Sequence, residues 1–236
     1  MPAASLRQRL LAALEPRHCK HHPLIQAWAR GELSREAMAL WAKEHYHYTH
    51  AFARWYALMV AACPVDWADA RAMYLDTIAE EYRPGAEHKN MVLRFAEACG
   101  ADPDYIVRAR PLPSTQALRD YLELLTTRAS FLEMVVGQTI SQESQSVELY
   151  PPILPVLREQ FRPDEIVFFT EHIEADEGHG GRALDIVEKY ARPEEYDHLV
   201  ELVRRGADQR WFYFDGIYLQ GVLGYPLGDP PFPRQP

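Results

Sequence analysis

The segment His172-Ile-Glu-Ala-Asp176-Glu-Gly-His179 sets two imidazoles and a carboxylate at i, i+4 and i+7. On an α-helix those steps turn about 400° and 700°, so the three side chains share one face over two turns. Nitrogen and oxygen donors grouped in this way make half of a site for a first-row transition metal. Ten histidines in 236 residues rarely place two beside a carboxylate on one helical face by chance. The competing reading is a solvated, salt-bridged face, and Glu171, Glu174 and Glu177 give this helix an acidic outer side.

Two further segments could supply the other half. In Glu80-Glu81-Tyr82-Arg83-Pro84-Gly85-Ala86-Glu87-His88, an unbroken helix would put Glu81 and His88 on one face. An interior proline costs a helix about 3 kcal/mol, so Pro84 and Gly85 predict a kink or local opening between the two. Such a segment is expected to order when metal binds. Glu143, in Thr139-Ile140-Ser141-Gln142-Glu143-Ser144-Gln145, is predicted mid-helix among small and polar neighbours. A carboxylate there faces a bundle interior only if paired or coordinated. Its rival Glu148 abuts a proline break at Pro151. Together Glu81, His88, Glu143, His172, Asp176 and His179 suit a pair of iron or manganese ions bridged by a carboxylate. A mononuclear facial triad would need only three of them. Zinc is a less natural occupant, since its structural sites are tetrahedral and thiolate-rich. The paired Glu-x-x-His signature of ferritin-like proteins is not met, and Asp176-x-x-His179 is its nearest analogue.

The elements that must position these residues read as helices throughout. Leu6, Leu10, Leu11 and Leu14 form an apolar stripe in the first. Further helical stretches are expected at about 22–30, 34–63, 66–99, 115–148, 164–190 and 193–220, bounded by Gly31, Pro64, Gly100, the prolines 151, 152 and 155, and Pro193. Strand alternation and internal repeats are absent. The expectation is one all-α domain over residues 1–220, of seven helices, with a poorly ordered Pro-rich tail over 221–236. In the third stretch His47, His50 and Arg54 lie near one face and are assigned to a substrate cavity. An arginine can clamp a carboxylate through two hydrogen bonds. The aromatic run Tyr46, Tyr48, Phe52, Trp55 and Tyr56 reads as core.

Composition narrows the function. A net charge of −9 argues against nucleic acid, which selects basic patches. Cys19, Cys63 and Cys99 are odd in number and widely spaced, showing neither a disulfide framework nor a metal knuckle. Neither a long apolar run nor a signal-peptide core is present, so no membrane partner is expected and a cytoplasmic location is the default. A homodimer is an open possibility.

Glu80-Glu81 with its Pro/Gly break and His88, then Glu143-Ser144-Gln145, then Phe169-Thr170-Glu171-His172 running on to Asp176 and His179, resemble the haem-oxygenase-like di-iron oxidases. HHPLIQAWARGELSREAM and WAKEHYHYTHAF extend the likeness over roughly residues 20–190. It is most like the branch of the chlamydial death-domain-associating protein and its p-aminobenzoate-forming relatives. The wider group includes the pyrroloquinoline-quinone-synthesis oxidase and thiaminase-II. The resemblance implies a compact seven-helix haem-oxygenase-like bundle without haem, two Fe(II), O2 as co-substrate, an external electron donor, and the same six ligands. In the aminobenzoate-forming branch a tyrosine of the chain is consumed with help from a lysine. Ungapped comparison puts Ile25 and Ile153 at those positions, so branches that oxidise free amino acids or fatty acids, by N-oxygenation or oxidative C–C cleavage, fit better. Three alternatives remain: self-processing aminobenzoate synthesis, a cofactor-free oxidase using His and Arg, and a non-enzymatic interaction protein. Thiaminase-type hydrolysis needs an activated cysteine, which Cys63 and Cys99 are poorly placed to supply.

Overall fold

A computed structural model describes residues 4–83 and 87–233, with the side chains of 174–180 left aside. The described residues contain no strand, as the periodicity predicts. They form thirteen α-helical segments rather than seven. These are α1 (Leu6–Leu14), α2 (Pro23–Ala29), α3 (Arg35–Thr49), α4 (Phe52–Ala62), α5 (Ala68–Glu81), α6 (His88–Ala98), α7 (Pro103–Arg108), α8 (Pro113–Arg128), α9 (Phe131–Met134), α10 (Ser146–Leu149), α11 (Leu154–Gln160), α12 (Val167–Tyr190) and α13 (Tyr196–Gly221). A π-helical segment, Val135–Ile140, and a 3-10 turn, Glu143–Gln145, lie between α9 and α10.

The extra breaks have local causes. The expected 34–63 helix ends at Thr49 and restarts at Phe52. Thr49 Oγ1 donates to the His45 carbonyl at 2.9 Å, and His50 Nδ1 donates to that of His47 at 2.9 Å. Side chains that bond helix carbonyls compete with the backbone ladder and bend it. The expected 66–99 helix divides into α5, ending at Glu81, and α6, starting at His88; Pro84 and Gly85, where the kink is expected, lie outside the described residues. The expected 115–148 helix stops at Arg128, where Ala129 is extended. Ser130 and Glu133 then form a reciprocal capping box that starts α9. After the π-helical segment that follows α9, Glu143 opens a 3-10 turn and is not mid-helix.

An aromatic core ties together the helices that carry the candidate ligands. Trp28 of α2, Trp41 of α3, Phe95 of α6 and Phe169 of α12 are fully buried, with ring centroids 5.0–6.3 Å apart. Aromatic burial of this kind dominates core energetics. It fixes the start of α12 just before His172. The 26-residue α13 packs against α1, α3, α8 and the π-helical segment.

The described part of the tail, to residue 233, is pinned and not loose. Lys43 and Glu44 form a fully buried ion pair at 2.6 Å. Lys43 also donates to the Asp229 carbonyl at 3.0 Å, and Asp229 Oδ2 accepts from the Arg110 backbone N–H at 3.0 Å. Gln220 Oε1 accepts from the amides of Leu227 and Gly228.

Gly206 is where α13 meets the π-helical region most intimately. A Cβ there would lie 2.1 Å from Ser141 Oγ and 3.1 Å from the Gly137 carbonyl. Its own carbonyl accepts from Gln142 Nε2 at 2.7 Å. Gly206→Ala is therefore expected to lower stability by about 1–3 kcal/mol through overpacking, and Gly206→Ala with Ser141→Gly to recover part of that loss. Urea midpoints of the two variants check this.

Candidate metal centre

The first turn of α12, the facing ends of α5 and α6, the 3-10 turn, α3 and α13 surround one cavity with about 30 Å³ of open space, room for about one or two waters. Four of the six predicted ligands, Glu81, His88, Glu143 and His172, line it. Asp176 and His179 follow on α12, one and two turns beyond His172, but their side chains lie outside the described residues.

Each described ligand is held by its local structure. Glu81 is the last residue of α5 and His88 the first of α6, and the break turns the two helix ends toward each other. His88 Nδ1 lies 3.1 Å from Glu81 Oε1, and both side chains are nearly buried. The His88 and His172 rings are 4.5 Å apart. His172 Nδ1 donates to the Phe168 carbonyl at 2.7 Å. A carbonyl only accepts, so in the neutral ring the proton sits on Nδ1 and the lone pair on Nε2. That orientation is the outer-shell arrangement that metal-bound histidines use. Phe168 packs on the His172 ring at 4.0 Å and holds it.

Among the described residues no three carboxylate, imidazole or thiol groups stand together as a preformed metal site. The donor set nonetheless fits a divalent metal. Glu80, Glu81 and Glu143 bring three carboxylates, and His88 and His172 two imidazoles, to one enclosed space, a mixed nitrogen–oxygen environment natural to iron or manganese.

The structure places the three predicted substrate residues elsewhere. His47 Nε2 donates to the Ile106 carbonyl at 3.0 Å. His50 is occupied by the His47 carbonyl and lies 3.4 Å from an Arg119 nitrogen. Arg54 pairs with Glu123 on the surface. None of the three lines the cavity. The face of α3 that does so carries His45, Tyr48 and Thr49, with Phe52 beyond, one step around the helix from the face chosen by spacing. Tyr48 and Phe52, read as core, are both core and cavity wall. His45 is stacked on Trp41 at 4.6 Å, and burial pushes its pKa well below the usual value, so it is a neutral imidazole.

Sequence reasoning also missed Arg210. It is 2% exposed and lines the cavity from α13. The signal was present: Val203, Gly206, Ala207, Arg210, Tyr213, Phe214 and Ile217 make one buried stripe of α13, and an arginine inside such a stripe is rare unless it has work there.

All three cysteines are buried, and burial pushes Cys19 and Cys99 up to about 12. Neither supplies a thiolate at neutral pH.

Comparison with known proteins agrees with this architecture. Residues 39–211 match the sequence profile of a family described as "Iron-containing redox enzyme". The chain is 23% identical over 220 residues to a 4-aminobenzoate synthase of Chlamydia muridarum, covering 89% of this chain and 88% of that protein. It is 24% identical over 231 residues to a pyrroloquinoline-quinone synthase of Acidiphilium cryptum, covering 92% and 90%. Among solved structures, a TenA homologue of Pseudomonas syringae superimposes with a TM-score of 0.77 at 16% identity, over 89% of this chain and 91% of that one. A Shewanella denitrificans domain with a heme oxygenase-like fold gives 0.75 at 20% identity, over 93% and 94%. No described helix is long and apolar enough to cross a membrane.

Two imidazoles outside the cavity set an acid limit on the fold. Burial holds His18 and His47 at about 4, below the ordinary 6.5. The unfolded chain therefore takes up these protons before the folded one does. Stability is full above pH 6.5 and falls as pH drops from 6.5 toward 4. The expected loss by pH 4.5 is on the order of 1–3 kcal/mol per imidazole. Urea unfolding at pH 7.5, 6 and 4.5 measures it, and His47→Gln should show a shallower decline.

Proposed function

This chain belongs to the family of iron-containing redox enzymes, and on that premise we propose that it is a non-haem di-iron, O2-dependent oxidase or oxygenase acting on a small amino-acid-derived metabolite. The observation that carries the reading is the convergence of Glu81, His88, Glu143 and His172 on one enclosed cavity, with His172 held in the tautomer whose Nε2 can bind metal. These four, with Asp176 and His179 from the next turns of α12, would hold two iron ions, manganese being the alternative. When bound, the metals supply O2 reduction and the oxidising power directed at the substrate, with an external donor restoring the ferrous state.

The chain's own residues supply the setting. The carboxylates offset the charge of two divalent ions and lower their potential. Phe52 and Phe168 wall the cavity and exclude bulk water, which strengthens every charge interaction inside it. Burial raises the Tyr48 pKa, so its hydroxyl keeps its proton and can donate a hydrogen bond to a ligand. His45, neutral and buried, is a fixed polar group that neither adds nor removes charge.

An external substrate is favoured over self-consumption. Ile25 and Ile153, at the positions where the aminobenzoate-forming pattern expects tyrosine and lysine, are buried aliphatic residues outside the cavity lining. The lack of a thiolate argues against thiaminase-type chemistry, and the carboxylate-rich lining argues against the cofactor-free reading.

Anaerobic Fe(II) loading followed by metal analysis should give about two irons per chain, as six donors of this type allow. His172→Ala and Glu143→Ala should each lose at least one, while Arg54→Ala should lose none. Full loading in the His172 and Glu143 variants would overturn the site. Oxygen uptake by the loaded protein should rise with an amino acid or related carboxylate. Release of 4-aminobenzoate without added substrate would replace this reading with self-consumption.

A further inference from the structure

Among the described residues the fold buries one lysine and one arginine, Lys43 and Arg210, and treats them differently. Lys43, fully buried, is matched by Glu44 at 2.6 Å. Arg210 forms no ion pair among the described residues; its hydrogen bond runs from Nη1 to the Tyr48 hydroxyl at 3.0 Å, and its Nε has no acceptor. Its guanidinium lies over the Tyr48 and Phe214 rings, 5.6 and 5.8 Å from their centroids. Burial raises the pKa of Cys19, Tyr48 and Tyr213 around it and keeps them neutral, and Glu143, which lines the same cavity, is not its hydrogen-bond partner. Guanidinium cannot shed its proton, and a buried charge without a counter-ion is strongly unfavourable. The structure keeps such a charge at the wall of the cavity that the candidate ligands also line.

We propose that Arg210 is the carboxylate receptor of this cavity, and that the substrate enters with its acid group against the Arg210 guanidinium and the Tyr48 hydroxyl. Tyr48 accepts from Arg210 and keeps its own proton to donate, so the two present three donors to an anion: the guanidinium Nε–H, a further guanidinium N–H and the phenolic O–H. The open space beside them is about 30 Å³, sized for an acid group of a few heavy atoms and not for the body of a larger ligand. Glu143 and His172 line the same cavity. This deepens the oxidase reading by naming the group its substrate must carry, and it rests on that reading only for the substrate's fate. The anion site itself does not depend on iron.

The test uses the whole chain, with and without Fe(II), and three probes: acetate, glycine and acetamide. Acetate and glycine should raise the melting temperature by roughly 5 °C or more at a hundredfold excess over Kd, and uncharged acetamide should not. Arg210→Lys keeps the charge but loses the planar fork, and should bind acetate at least 10-fold more weakly. Arg210→Met should lose acetate binding while retaining the wild-type iron content. Equal acetate stabilisation in wild type and Arg210→Met overturns the proposal, as does equal stabilisation of wild type by acetamide. Should Arg210→Met fail to fold, Arg210→Lys decides: unchanged acetate affinity overturns the proposal, and a 10-fold loss supports it. A wild type that binds acetate but no iron keeps the anion site and removes the di-iron reading. An iron-loaded wild type indifferent to acetate and glycine removes only the role of Arg210.

Discussion

The close approach of α13 to the π-helical segment at Gly206 is the contact on which the cavity depends. With no Cβ in the way, Ser141 seats against the helix and Gln142 reaches the Gly206 carbonyl, at the point where the π-helical segment gives way to a 3-10 turn. Glu143 leaves that irregular segment toward the cavity. Arg210, one turn beyond Gly206, enters the same cavity from α13. One small residue thus sets the spacing between an acidic wall and a basic one. π-Helical turns interrupt the regular ladder at a cost and occur often at functional sites. Here the interruption redirects the chain just before a candidate ligand.

Around this contact the molecule separates two kinds of burial. The Trp28, Trp41, Phe95 and Phe169 cluster is apolar and rigid, and it fixes the helices relative to one another. The adjoining cavity gathers carboxylates, imidazoles and a guanidinium in a space too small for much water. Polar groups in such a space are costly unless something binds them. The apolar cluster supplies the stability that lets the polar one persist, a division found where function and stability compete.

Much of this was legible in the sequence. Helical periodicity gave the all-α class, and the steps from Glu81 to His88 and along His172, Asp176 and His179 selected residues of which the four described come together in space. Helix does stop at Glu81 and restart at His88, although Pro84 and Gly85 themselves lie outside the described residues. Other features needed three dimensions. The break after Thr49 carries neither proline nor glycine; Thr49 and His50 bond helix carbonyls there. Because of it, spacing alone chose the face of His47 and Arg54, whereas the cavity takes the face of His45 and Tyr48. The Ser130–Glu133 capping box could have been read from sequence as a helix start at Phe131, whereas the irregular backbone before Glu143 lies in the π-helical segment and carries no such signal. Arg210 was readable as a charged residue in an apolar stripe, but its lack of an ionic partner is a property of the folded chain. The pinning of the tail pairs the side chains of Lys43, Asp229 and Gln220 with backbone groups, partners that residue type alone does not reveal.

The late position of α13 bears on how such a cavity is made during synthesis. Its walls are drawn from residues 45 to 210, and the ribosome releases them in that order. Until residues 196–221 have emerged, the carboxylates of the earlier helices have no α13 to close over them and no guanidinium opposite. A partial chain would offer those acids to any passing cation, without the enclosure that discriminates by size and geometry. Once α13 is in place Arg210 stands in the same lining as those acids, so the enclosure is a property of the folded chain and not of its earlier helices alone.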